Sequence, residues 1–173
     1  MDLTEVDAKD LSDMGGANVL PGEYIACVDE LDDTLSKTHK RMFVADFVIA
    51  EGPFKGQKLK HWFVVESRGG KGVFKHFLKS ISKDNKAPDK WSDSMRPHCL
   101  GRTLRIGVGL EKSGQYLNPR VICMDHETVD PDEFHEKFIR SLEKLEARNE
   151  EAKAAAQAAS KGADFNASGD VPF

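Results

Sequence analysis

The stretch that decides the fold is residues 42–65, MFVADFVIAEGPFKGQKLKHWFVV, in which two runs rich in β-branched and aromatic residues flank a short connecting segment. That segment, residues 51–56, contains one proline and two glycines. Proline restricts its own φ angle and glycine tolerates positive φ, so the segment is typical of a hairpin connection. The two runs are therefore predicted to be neighbouring antiparallel strands.

Side chains of a strand alternate between the two faces of a sheet, which divides the second run into two sets. One set is apolar except for His61, and the other consists of Lys58, Lys60 and Trp62. Lysines interleaved with an aromatic residue suit a single nucleic-acid strand, because the cations bind phosphates and the ring stacks on a base. An ordinary solvated face with one amphipathic tryptophan is the alternative interpretation of this hairpin.

Three further strands and a helix are predicted around the hairpin. Pro21 and Gly22 precede a strand over residues 23–31, and alternating apolar residues predict strands over 102–111 and 115–124. Between strands 3 and 4, apolar residues from Val73 to Ile81 recur with helical spacing. This order is that of an OB-fold, so the expected fold class is mainly β, a five-stranded barrel with a helix between strands 3 and 4.

An OB-fold binds its ligands across strands 2 and 3, between the loops that join strands 1 to 2 and 4 to 5. Basic and aromatic side chains on these surfaces are therefore the candidate DNA-binding residues. They are Lys37, Lys40, Arg41, Lys58, Lys60, Trp62, Arg105, Lys112, Tyr116 and Arg120. Of these, Arg105, Tyr116 and Arg120 are expected to share one face of the sheet.

The net charge of −4 conceals a separation of charge along the chain. Residues 1–19 contain one Lys/Arg against five Asp/Glu, and residues 20–125 contain 18 against 13, a net charge of +5. Residues 126–173 contain 6 against 11, a net charge of −5. A basic middle between acidic ends favours a polyanion-binding core whose flanks compete for it or recruit another molecule.

Four segments are expected from these patterns: an acidic arm over 1–19, the OB-fold over 20–125, a C-terminal helix over 126–160 and a disordered tail over 161–173. Asp130 and Pro131 followed by acidic residues predict the start of the C-terminal helix. Its apolar stripe, which begins at Phe134, is expected to pack on the barrel, with a homodimer contact as the alternative.

The chain ends in Asp170, Val171, Pro172 and Phe173. This ending resembles the C-terminal tip of bacterial single-stranded-DNA-binding proteins, which finish in Asp, an aliphatic residue, Pro and Phe. Residues 21–24, Pro-Gly-Glu-Tyr, and residues 51–59, Glu-Gly-Pro-Phe-Lys-Gly-Gln-Lys-Leu, resemble a phage family long catalogued as a domain of unknown function. Its members are regarded as single-stranded-DNA-binding OB-fold proteins, and the resemblance covers roughly residues 20–125.

The resemblance implies a role for each residue of the tip. Phe173 would dock in an apolar pocket of a replication or repair enzyme, Pro172 would restrict the approach, and Asp170 would supply charge. This chain departs from the bacterial pattern because Asp164 and Asp170 are the only acidic residues among residues 161–173. Electrostatic recruitment of the partner is accordingly expected to be weaker. A phage protein of this kind would act in the cytoplasm of the host.

Other classes of function are not indicated. The three cysteines, Cys27, Cys99 and Cys123, form no Cys-x-x-Cys pair and are expected to be reduced thiols of a cytoplasmic protein. No apolar run approaches the roughly 20 residues of a membrane span, and the histidines lack metal-ligand spacing. There is no phosphate-binding loop and no nucleophile motif, so we expect no enzyme activity, no cofactor and no metal.

The function expected from the sequence is sequence-independent binding of single-stranded DNA. The protein would protect single strands during replication, recombination or repair and would recruit partner proteins through its C-terminal tip. The alternative from another class is an OB-fold adaptor or inhibitor that binds a protein and no nucleic acid.

Overall fold

A computed structural model describes residues 19–113 and 116–164, so the acidic arm up to residue 18 and the tip from Asp170 to Phe173 lie outside the described residues. The strands are β1 (Gly22–Leu35), β2 (Arg41–Ile49), β3 (Lys58–Val64), β4 (Thr103–Ser113) and β5 (Tyr116–Asp125). The helices are α1 (Arg68–Ile81), α2 (Arg96–Cys99) and α3 (Pro131–Asp164), and a 3-10 turn, Asp93–Met95, precedes α2.

The five strands form one antiparallel sheet in the order β3-β2-β1-β4-β5. β2 and β3 pair as the hairpin prediction requires, with Val44 opposite Trp62 and Asp46 opposite Lys60. The mainly antiparallel architecture, with a long helix at its C-terminal end, therefore agrees with the expectation from sequence.

The expected closed barrel is wrong, because β3 and β5 are the two edges of the hydrogen-bonded sheet. Two features interrupt closure. β5 has an irregularity at Ile122, where its register with β4 shifts, and helices α1 and α3 line the space between the two edges. The helix predicted between β3 and β4 is present as α1, but the 3-10 turn and α2 also lie in that connection.

The core lies between the inner face of the sheet and α1. Phe43 stacks on Phe74 with ring centroids 4.4 Å apart, and Phe63 packs on Phe77 at 5.0 Å. These rings come from alternating positions of β2 and β3 and from the apolar stripe of helix α1. Val19, which the sequence assigned to the acidic arm, is buried in the same core.

Helix α3 packs on the outer face of β4 and β5 because two glycines leave room for it. A Cβ atom on Gly107 would lie 2.6 Å from Cδ2 of Phe138, and one on Gly109 would lie 2.7 Å from Cδ2 of Leu145. Asp130 caps the helix by accepting hydrogen bonds from the N–H groups of its first turn. The apolar stripe of α3 thus contacts the sheet, and from residue 150 to residue 161 the helix is exposed on every side.

Within the described ranges, no helix has both the length and the apolar character needed to cross a bilayer. α3 is long enough but is dominated by charged residues and alanine.

Candidate functional site

Trp62 is the most exposed aromatic side chain on the hairpin, with 53% of its surface accessible. It lies on the outer face of β3, the edge strand, and its neighbours along that face are Lys60 and Val64. A half-exposed indole at a sheet edge leaves an aromatic face available to a planar ligand. The position of Trp62 on the polar face therefore follows the alternation predicted from the sequence.

The two lysines beside Trp62 are exposed, but each has an acidic partner on the same face. Lys58 Nζ lies 2.6 Å from Asp29 Oδ2, and Lys60 Nζ lies 3.5 Å from Asp46 Oδ1. The hydrogen bond that Lys58 donates to Asp29 raises the pKa of Lys58, which keeps that lysine protonated. Both lysines are thus partly neutralised before any ligand arrives.

The outer face of β1, β2 and β3 is acidic as a whole. The register places the carboxylates of Glu30, Asp32 and Asp46 on it. Asp29, at the register shift of β1, reaches the same face through its ion pair with Lys58, so four carboxylates stand against the two lysines of β3. The sequence does not show this excess of negative charge, because the acidic residues of β1 are separated along the chain from the lysines of β3 by the whole of β2. The cations of this face alone therefore do not form an attractive surface for a polyanion.

The candidates near the loop between β1 and β2 are exposed but differ in their partners. Lys37 and Lys40 lie in the loop itself. Arg41 Nη2 lies 2.6 Å from Asp33 Oδ2 and 3.6 Å from Asp93 Oδ1, and its guanidinium lies over the ring of Phe43. The loop thus offers two lysine ammonium groups, whereas the arginine is held by carboxylates.

The remaining candidates, on β4 and β5, separate into different environments. Arg105 is half-buried under α3, where its guanidinium lies 5.7 Å from the ring of Phe134 and donates to the carbonyl of Glu127. Lys112 lines another cavity, on the side of α3 that carries Lys153. Tyr116 and Arg120 fall on the same face as Arg105 by register, and the tyrosine is exposed. Arg120 lies in the cleft described next.

A cleft of about 600 Å³ lies between the two edges of the sheet. β3 and β5 approach each other across it, and the first turns of α1 and the middle of α3 complete its walls. Trp62 stands on one edge and Arg120 on the other, while α3 contributes Lys144 and Arg148. The lining side chains that carry full charge at neutral pH are these three cations. We call this site the seam cleft.

The β3 edge also presents backbone hydrogen-bonding groups to the seam cleft. At the two ends of the hairpin ladder, the N–H of Val65 donates to Arg41 and the N–H of Ile49 donates to Gln57. Hydrogen-bonded pairs alternate along antiparallel strands, so the odd-numbered residues of β3 bond to β2. The N–H and C=O groups of Lys58, Lys60 and Trp62 consequently point toward the open edge, whereas the carbonyl of Val64 accepts hydrogen bonds from Ser67.

His61 lies at the inner wall of the seam cleft and is almost fully buried. Burial lowers its pKa from 6.5 to about 4, and the positive charge of Arg120 acts in the same direction. The imidazole is therefore neutral at physiological pH and adds no charge to the cleft. It packs against the ring of Phe63 at 4.6 Å.

A carboxylate joins two of the cations in the seam cleft. Glu111 of β4 accepts hydrogen bonds at the same oxygen, Oε1, from Arg120 Nη1 and from Arg148 Nη2, the latter at 3.1 Å. Lys144 has no ion pair with any of the residues that the structure describes. The cleft therefore retains two net positive charges when Glu111 is counted with its three cations.

Lys144 and Arg148 were missed by the analysis of the sequence. They lie one turn apart on α3, whose charged residues are mixed in sign, so nothing in their local pattern separates them from an ordinary solvated face. The signal that could have identified them is the apolar stripe of α3. Once Phe138 and Leu145 of this stripe face the sheet, the neighbouring positions on the helix must lie beside the edge of the sheet.

A second polar cluster joins α1 and α3 to β5. Lys137 Nζ lies 2.8 Å from Asp125 Oδ2, 2.8 Å from the carbonyl of Met124 and 3.1 Å from His76 Nε2. Burial alone would raise the pKa of Asp125, but the hydrogen bond from Lys137 lowers it overall. The cluster thus stabilises the packing of both helices. Among the described residues, no three His, Cys, Asp or Glu side chains are grouped to hold a metal ion.

No protein-family model matches the chain, and a search of curated proteins finds no significant match.

Proposed function

We propose that this protein binds single-stranded DNA without sequence preference. The observation that carries the proposal is the half-exposed indole of Trp62 on an open sheet edge, beside a cleft whose charged lining residues are Arg120, Lys144 and Arg148. Single-strand-binding proteins combine a positively charged groove for the backbone with aromatic rings on which bases stack. The seam cleft and Trp62 offer both elements side by side.

The architecture supports the proposal. An OB-fold is a five-stranded, partly open Greek-key barrel, and the strand order β3-β2-β1-β4-β5 brings β3 and β5 to the two sides of one seam. We infer that the sheet is an OB-fold whose seam is left unpaired. The resemblance of residues 21–24 and 51–59 to phage single-strand-binding proteins points the same way.

In this proposal the protein protects single strands during replication, recombination or repair, in the cytoplasm of a host cell. Its tip, Asp170 to Phe173, recruits a partner protein by inserting Phe173 into an apolar pocket. Both statements derive from the resemblance of the chain to single-strand-binding proteins. Deleting the last four residues is expected to abolish capture of the partner and to leave the affinity for DNA unchanged.

The test is a titration of tryptophan fluorescence with oligothymidylate at several salt concentrations. Trp91→Phe leaves Trp62 as the only reporter, because the chain has two tryptophans. Stacking on a base should quench that reporter, and Trp62→Ala should weaken binding roughly tenfold or more, since each stacked base contributes about 1–3 kcal/mol. Leu100→Ala, which also shortens an exposed apolar side chain, serves as the control and should bind normally.

Two results would refute the proposal. One is the absence of quenching and of salt-sensitive binding in the wild-type protein, since phosphate contacts make affinity fall as salt rises. The other is wild-type affinity in the Trp62→Ala variant. Excess duplex DNA is included as a competitor, and it should displace the oligonucleotide poorly.

A protein-binding adaptor is the second candidate, and the acidic outer face favours it. Asp29 and Asp46 pair with the two lysines beside Trp62, and Glu30 and Asp32 add further negative charge to the same face. Such a face suits a basic protein better than a nucleic acid. If the adaptor is correct, oligothymidylate will not bind and the tip will be needed for every interaction of the protein.

A further inference from the structure

We propose that the bound strand lies in the seam cleft, where a phosphate displaces Glu111 from Arg120 and Arg148, so that α3 is part of the binding site. The inference rests on the proposed function and specifies the path of the strand. It assigns a binding role to Lys144 and Arg148, and it makes Glu111 an internal competitor that limits affinity.

The Glu111 carboxylate lies between two arginine side chains. One oxygen, Oε1, accepts from the guanidinium groups of both Arg120 and Arg148, which come from different elements, β5 and α3. An anionic oxygen between two guanidinium groups is the arrangement by which arginines bind phosphate. Glu111 therefore occupies a place that suits a phosphate oxygen.

This arrangement is also held in place from both sides. Asn149, which follows Arg148 on α3, accepts a hydrogen bond from the N–H of Lys112 at 3.0 Å and donates to the carbonyl of Leu110 at 2.9 Å. These two bonds flank Glu111 on β4. The backbone of α3 is thus fixed relative to Glu111, and Arg148 is positioned before a ligand binds.

Displacement of Glu111 from the two arginines costs little free energy. Its side chain is 34% accessible, and those of Arg120 and Arg148 are 41% and 59% accessible. Ion pairs with this much exposure are weak, since solvent screens them. A freed carboxylate can rotate into water, while the two guanidinium groups and Lys144 remain available to the strand.

The alternative path, across the outer face of the sheet, carries more negative charge. A strand that crossed the outer face of β1–β3 would meet four carboxylates and two paired lysines. In the seam cleft it would meet three cations and a single carboxylate. Trp62 borders both surfaces, so a base can stack there while the backbone enters the cleft.

Matched substitutions distinguish the two paths. Glu111→Gln, Asp29→Asn and Asp46→Asn each remove one negative charge and keep the side-chain shape, so their effects at long range are the same. If the strand lies in the seam cleft, only Glu111→Gln should tighten oligothymidylate binding substantially, by about three- to tenfold at low salt, because it frees two arginines. The affinity of the Glu111→Gln variant should also fall more steeply as salt rises, by an amount that corresponds to the release of about one additional ion.

A second pair of variants tests α3 directly. Arg148→Gln should weaken binding by about fivefold or more, whereas Lys153→Gln, which removes the same charge on the other side of the helix, should have little effect. Circular dichroism and thermal melts check that all variants fold. The inference is overturned if Asp29→Asn or Asp46→Asn tightens binding as much as Glu111→Gln, or if Arg148→Gln and Lys153→Gln are equivalent. Absence of binding by the wild-type protein would instead refute the proposed function itself.

Discussion

Between pH 6.5 and about pH 4, acid should destabilise this protein through His61. Its imidazole is buried at the inner wall of the seam cleft, and burial together with the charge of Arg120 lowers its pKa from 6.5 to about 4. In the unfolded chain the ring is solvated and returns to the ordinary value. Between these two pKa values the unfolded state binds a proton that the folded state does not, so the free energy of unfolding falls as the pH falls.

The size of the effect follows from the two pKa values. At 1.36 kcal/mol for each pKa unit, the difference between 6.5 and about 4 corresponds to about 3 kcal/mol. This stability is present above pH 6.5 and is lost progressively by about pH 4. It is a large fraction of the total free energy of unfolding of a domain of this kind, which is roughly 5–15 kcal/mol.

The assay is urea unfolding of the wild type and of His61→Gln at intervals between pH 7 and pH 4. Glutamine keeps a polar side chain but does not titrate, so the wild type should lose about 3 kcal/mol more than the variant over this range. His98→Gln, at an exposed position, is the control and should follow the wild type. A ring that titrates near pH 6.5 by NMR, or parallel pH profiles for wild type and His61→Gln, would refute the reasoning.

Two further predictions concern the packing of α3 on the sheet and the N-terminal cap of α1. Gly107→Ala should lower the free energy of unfolding by about 1–3 kcal/mol, because the new methyl group would lie 2.5 Å from Cys123 Sγ and 2.6 Å from Phe138 Cδ2. Gly69→Ala, where space is open, is the control and should not destabilise the protein. Equal effects of the two substitutions in urea unfolding would contradict the packing argument. Ser67→Ala should lower the free energy of unfolding by about 1 kcal/mol, since Ser67 Oγ accepts a hydrogen bond of 2.9 Å from an N–H in the first turn of α1. Ser67→Asp should retain this helix cap. An alanine variant as stable as the wild type would show that the cap is dispensable.

The hairpin was predictable because its signals are local. Alternation along β3 places Trp62 outside and Phe63 inside whatever the rest of the chain does, and the turn residues fix the connection. Closure of the barrel was not predictable, because it depends on how α1, α3 and the irregularity at Ile122 share the space between two distant strands.

The candidate site shows the same division. The sequence identified Trp62 and Arg120, but it treated every lysine and arginine near the sheet as available. The structure pairs Lys58 with Asp29, a residue 29 positions earlier in the chain, and pairs Arg148 with Glu111, 37 positions away. A pattern read along the chain does not contain such pairs.

The sequence by itself determined the five antiparallel strands, the start of α3 and the outward position of Trp62, because periodicity, capping and turn chemistry act over a few residues. Only the tertiary structure decided that the sheet edges stay apart and that Arg120, Lys144 and Arg148 gather between them. The physical reason is that net charge at a surface depends on which distant side chains are brought within a few ångströms, and the fold alone sets those distances.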